Sequence, residues 1–101
     1  MPLRRATAEF VTNGLKLNNK VILVTGITSG IGKETARVLA MREATILGTG
    51  RTLASVKDAC LDIGERALPF ECELSDPKSV KKCVQEIRKQ GLKIDAIIAN
   101  A

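Results

Sequence analysis

The sequence predicts an α/β domain: four parallel strands in the order 3-2-1-4, flanked by helices. Three observations carry that expectation. Short apolar runs alternate with segments of helical period in the order βαβαβαβ, which implies a parallel sheet with right-handed crossovers. The first run, Val21-Ile22-Leu23-Val24, is aliphatic without alternation, as suits a central strand covered on both faces. A turn carrying Gly26, Gly30 and Gly32 follows it at once, where a switch in strand order would open a crevice.

The elements follow in order. Residues 1–16 read as a leader, disordered or loosely docked, with a faint organellar targeting character as the alternative. The domain is expected over 17–101, starting from the polar turn Leu17-Asn18-Asn19-Lys20. The first helix is predicted from Ile31 to about Met41, with Ile31, Thr35 and Val38 on its inward face. Its end lacks the usual glycine, since Glu43 stands at the left-handed position. That substitution is expected to cost stability and leave the fold intact. Strand two is predicted over Ala44–Gly48, then a second helix over Leu53–Ile63, with Leu53, Val56, Cys60 and Ile63 on one face and Gly64 as its stop. Strand three covers about Ala67 to Cys72, and Pro69 marks it as an edge because proline donates no ladder hydrogen bond. Ser75 or Asp76 caps the third helix and Pro77 opens it. That helix runs to about Gln90, with Val80, Cys83, Val84 and Ile87 inward and Gly91 as its stop. Strand four is expected over Ile94–Ala99.

The stretch Lys20–Ala36 is therefore a strand–turn–helix. Glycines let its backbone turn sharply and approach a ligand, and the helix start offers free N–H groups and a positive dipole end. The chemistry is that of a pyrophosphate site. The nucleoside-triphosphate loop is excluded, because five residues separate Gly26 from Gly32 and Glu34 replaces the hydroxyl that would hold magnesium. The literal G-x-G-x-x-G pattern is absent too. What stands here, Thr25-Gly26-x-x-x-Gly30-Ile31-Gly32, resembles the T-G-x-x-x-G-x-G signature of the short-chain dehydrogenase/reductase family. GIGKETA is similar to its retinol-dehydrogenase-like subset.

The resemblance covers residues 17–101 and implies a partial Rossmann-like domain, the N-terminal cofactor-binding half of such an enzyme. It implies a dinucleotide site formed by Gly26, Thr28, Ser29, Gly30, Ile31, Gly32, Arg51, Glu73, Leu74 and Asn100. Arg51 stands where NADP-using members carry a base for the 2′-phosphate, and Gly50 where NAD users often carry Asp. NADP is thus expected ahead of NAD, with no acid after strand two to repel the phosphate. Glu73-Leu74 replaces the family's Asp-aliphatic pair beside adenine. Ala99-Asn100-Ala101 matches the N-N-A-G motif in part. The family's acid–base pair is Tyr-x-x-x-Lys, and this chain has no Tyr, so no catalytic residue is assigned and the chain alone is expected to be inactive.

Composition limits the alternatives. The chain has 101 residues, 45% of them hydrophobic, but only two Phe and neither Trp nor His. Its net charge of +5 draws on the first twenty residues (Arg4, Arg5, Lys16, Lys20) and on an exposed helix face (Lys78, Lys81, Lys82, Arg88, Lys89), and without aromatics for base stacking nucleic acid is not expected. Cys60, Cys72 and Cys83 show no C-x-x-C pairing and read as reduced packing residues of a cytoplasmic protein, with no metal site. No run is long enough to span a membrane. Three function classes remain. They are the NADP-binding portion of an oxidoreductase acting on carbonyl or alcohol substrates, a non-enzymatic nucleotide-binding or interaction module from a truncated isoform, and a non-functional fragment. Strand four would be internal in a complete fold, so the isolated chain is expected to self-associate or aggregate through it.

Overall fold

A computed structural model describes residues 16–100; Ala101 and all of the leader except Lys16 lie outside the described residues. The elements run β1 (Val21–Val24), α1 (Gly30–Met41), β2 (Thr45–Gly50), α2 (Leu53–Ile63), β3 (Ala67–Glu71), α3 (Pro77–Lys89) and β4 (Ala96–Ile98). The strands form one parallel sheet in the order β3-β2-β1-β4, as the sequence leads one to expect. Pro69 lies in an edge strand.

The alternation of side chains along each strand divides the core in two. Ile22, Val24, Ile46 and Ala67 point to one face, where Ala36 and Leu39 of α1 and Val56, Ala59 and Cys60 of α2 cover them. Val21, Leu47 and Phe70 point to the other, against Cys83 and Ile87 of α3. Among the described residues the first face carries two helices and the second one, and Leu23 on the second face is partly buried.

Local chemistry sets the helix ends. Ser29, Thr52 and Asp76 are the N-caps of α1, α2 and α3, each accepting a backbone N–H with its side chain. At the end of α1 the Glu43 N–H bonds to Ala40 O at 2.9 Å and the Ala44 N–H to Leu39 O at 3.2 Å. This is the Schellman pattern, and it requires a left-handed residue at position 43. Glu43 takes it, with φ of 73°. The Arg66 guanidinium holds the Glu43 carbonyl at 3.1 Å.

Several expectations need correcting. Strand β2 continues past Gly48 to Gly50, because β3 pairs with it through Gly50↔Glu71. Strand β3 ends at Glu71, one residue before Cys72. Strand β4 is shorter than Ile94–Ala99 because the Asp95 carboxylate, in place of a main-chain carbonyl, accepts the Val21 N–H at 2.8 Å. Ile31, Leu53 and Val84 are exposed instead of inward. Ile31 and Leu53 lie in first turns, while Val84 lies at the flank of the stripe that buries Cys83 and Ile87.

Replacing Glu43 with glycine removes the cost of a left-handed L-residue, about 1–2 kcal/mol, and restores part of it as unfolded-chain entropy. Glu43→Gly is therefore expected to stabilise the domain by about 0.5–1 kcal/mol. Urea unfolding measures this; a lowered midpoint would show that Glu43 stores no strain.

Candidate functional site

The turn after β1 is built by close backbone packing. Gly26 has φ of +66°. A Cβ on Gly32 would stand 2.1 Å from the Gly26 carbonyl oxygen, so α1 can start here only with glycine at that position. Ser29 ties the turn together: its hydroxyl donates to Gly26 O at 2.9 Å and accepts the Gly32 N–H at 3.1 Å. The Ile27 N–H donates to Thr49 O at 3.0 Å, laying the turn over the end of β2. The side chains of Ile27 and Thr28 then rest on Gly48 and Gly50, where a Cβ would meet them or Val56 at 2.4 to 3.1 Å.

The other wall comes from β4. The Thr25 N–H donates to Ile98 O at 3.0 Å. Its hydroxyl accepts the Asn100 N–H at 2.9 Å and donates to Asn100 O at 3.3 Å, while Asn100 Nδ2 donates to Thr25 O at 3.0 Å. These bonds fix the ends of β1 and β4 side by side at the point where the strand order reverses.

A cleft of about 480 Å³ opens at that point. Of the residues expected from sequence, it brings together Gly26, Thr28, Ser29, Arg51, Glu73, Leu74 and Asn100. Gly30, Ile31 and Gly32 stand beside it in the first turn of α1. Gly30 faces open space, with nothing within 4 Å of where a Cβ would be. Gly32 is buried beneath the turn, and the Ile31 side chain is exposed without lining the cleft. Gly50 lines it too, and Thr49, Thr52, Ser55 and Cys72, which were missed from sequence, complete the lining. The extension of β2 and the helix cap at Thr52 bring Thr49, Thr52 and Ser55 there.

One acidic group faces the cleft's base. Glu73 Oε2 lies 3.5 Å from Arg51 Nε, so an acid does oppose Arg51, from the β3 side instead of from β2. The Ser75 hydroxyl and then the Ser75 N–H hold the Glu73 carboxyl below the usual glutamate range, with Arg51 adding to them and partial desolvation opposing. Glu73 is thus ionised at neutral pH. Two of the thiols are chemically quiet: burial pushes Cys60 up to about 11 and Cys83 up to about 12. All three cysteines are free, and no group of metal-ligating side chains occurs among the described residues. No helix among those residues is long and apolar enough to cross a membrane.

A second groove, about 520 Å³, runs between β3 and α3, lined by Leu68, Phe70, Lys82 and Glu86 among others. It lies away from the switch point and has no glycine turn, so the first cleft is the better candidate despite being slightly smaller.

A parallel 3-2-1-4 sheet with a glycine turn at its switch point is a Rossmann-like architecture. The short chain dehydrogenase family model matches residues 20–101, and the chain belongs to that family. It is 34% identical over 92 residues to the short-chain dehydrogenase/reductase sthC of Phaeosphaeria nodorum, covering 84% of this chain and 29% of that protein. A coniferyl-alcohol dehydrogenase of a Pseudomonas species is 39% identical, over 82% of this chain and 28% of its own. Retinol dehydrogenase 12 of Mus musculus is 32% identical, over 89% and 30%. A crystal structure assigned as a betaketoacyl-ACP reductase superposes with a TM-score of 0.72 at 36% identity, covering 85% of this chain and 34% of that one. The chain thus spans about a third of the length of these relatives.

The Thr25–Asn100 clamp gives a direct test of how the cleft is held. Thr25→Val keeps the shape and removes the hydroxyl, leaving the Asn100 N–H without its acceptor. We expect a loss of about 1–2 kcal/mol in unfolding free energy and faster amide exchange at Asn100. Unchanged stability and exchange would mean that the clamp contributes nothing.

Proposed function

We propose that this chain forms the adenine-side, NADP-binding portion of a short-chain oxidoreductase acting on carbonyl or alcohol substrates. The observation that carries the reading is the open face of Gly30 at the start of α1, beside a cleft that also holds Arg51. A pyrophosphate fits there because the first N–H groups of α1 lack helical partners and the dipole is positive at that end. Arg51 is 85% exposed and offers a planar fork of donors to a 2′-phosphate. Leu74, exposed at the rim, offers an apolar wall for the base. When bound, the dinucleotide supplies hydride chemistry, and these residues hold and orient its adenine side. With neither Tyr nor His in the chain, proton transfer at a substrate oxygen has no such side chain here. The unpaired thiols suit a reducing compartment such as the cytoplasm.

A nucleotide-binding panel tests this reading. The chain is expected to bind NADP more tightly than NAD, and Arg51→Ala to remove most of that preference, roughly tenfold for one charge-assisted contact. Gly30→Val should abolish binding of both while the domain stays folded, because outside its own helix and chain neighbours nothing stands within 4 Å of the new Cβ. Equal affinities for the two cofactors in the wild type would refute the NADP assignment. Full binding by a folded Gly30→Val variant would place the phosphates elsewhere.

Among the described residues β4 pairs only with β1, and Ile97 is 64% exposed along it. Free apolar edges template further pairing. We expect the 101-residue chain to self-associate at micromolar concentration in sedimentation; a monodisperse monomer would contradict this.

A further inference from the structure

The cation proposed to receive the 2′-phosphate already has an anionic partner. Glu73 is anchored at one end, where Oε1 accepts the Ser75 hydroxyl at 2.8 Å and the Ser75 N–H at 3.3 Å. Its own N–H donates to Ser79 Oγ at 2.8 Å. The other carboxylate oxygen, Oε2, is the one facing Arg51 Nε at 3.5 Å. Next to this pair, Glu71 Oε2 accepts the Leu53 N–H at 3.2 Å, at the first residue of α2. Two carboxylates from the end of β3 and just beyond it therefore engage donors that an incoming phosphate would meet after β2.

We propose that Glu73 is a specificity-determining residue: it competes with the 2′-phosphate for Arg51 and so narrows the preference for the phosphorylated cofactor. This rests on the dinucleotide reading of the cleft given above. A bound 2′-phosphate either displaces Glu73 from Arg51 or remains beside it at like charge, and both reduce affinity. A cofactor with a free 2′-hydroxyl is neutral at that position and meets neither penalty. Because Ser75 fixes the carboxylate, Glu73 cannot simply swing into solvent without losing two hydrogen bonds. The pair is exposed and screened, which limits the effect to about three- to fivefold.

The test compares adenosine 2′,5′-bisphosphate with AMP as probes, by equilibrium dialysis on the full chain. The quantity read is the ratio of their affinities, in which any effect of position 73 on the adenine ring cancels. Glu73→Gln keeps an acceptor for Ser75 and removes the charge. It is expected to raise the ratio about three- to fivefold in the wild-type background and by clearly less in the Arg51→Ala background, where only the like-charge repulsion remains. An unchanged ratio in the single variant overturns the inference. So does an equal rise with Arg51 absent, which would mean bare repulsion without competition. If the wild-type chain binds neither probe, the dinucleotide reading itself fails and takes this inference with it.

Discussion

The contact on which the rest depends is the one between Gly32 and the carbonyl of Gly26. With 2.1 Å between that oxygen and the place of a Cβ, only glycine lets α1 begin directly over the end of β1. From that start follow the position of Ser29, the N–H groups presented by the first turn, and the crossing of Ile27 to Thr49. Gly48 and Gly50 belong to the same device. They leave β2 flat enough for Ile27, fully buried, and Thr28 to lie on it. The turn is thus a backbone-to-backbone junction, held by packing from below and by hydrogen bonds to β2 and β4 at its sides.

Electrostatics then refine what packing has placed. Within the cleft Arg51 is balanced by Glu73. An exposed pair of this kind adds little stability. Its consequence lies in recognition, because it decides how much of the arginine's charge an incoming anion can use. The backbone dipole at α1 has no such internal competitor among the described bonds beyond the Ser29 cap.

Much of this architecture is legible in the sequence because local chemistry decides it. Asp76-Pro77 caps and opens a helix, Pro69 marks an edge strand, and the left-handed helix end read at position 43 is where Glu43 has φ of 73°. What escapes a linear reading is set by distant partners. The apolar period identifies a stripe but not how far a neighbour covers it, so Ile31 and Val84 read as inward and prove exposed. The end of β2 looks like loop because its residues are Gly-Thr-Gly, yet pairing with β3 keeps it extended. The bond from Val21 to the Asp95 side chain spans 74 residues and no periodicity encodes it. The approach of Glu73 to Arg51 is of the same kind: two motif residues, each read alone, whose meeting changes what either can do.

The proposed function requires that the cleft at the switch point, and not the groove beside α3, receive the dinucleotide. Backbone amide shifts followed by NMR while NADP is titrated into the isotope-labelled chain test it most directly. Perturbations are expected at residues 26–32, 49–55, 72–75 and 100, with the largest at the first amides of α1. Shifts centred instead on Leu68, Phe70, Lys82 and Glu86, with the glycine turn undisturbed, would contradict it.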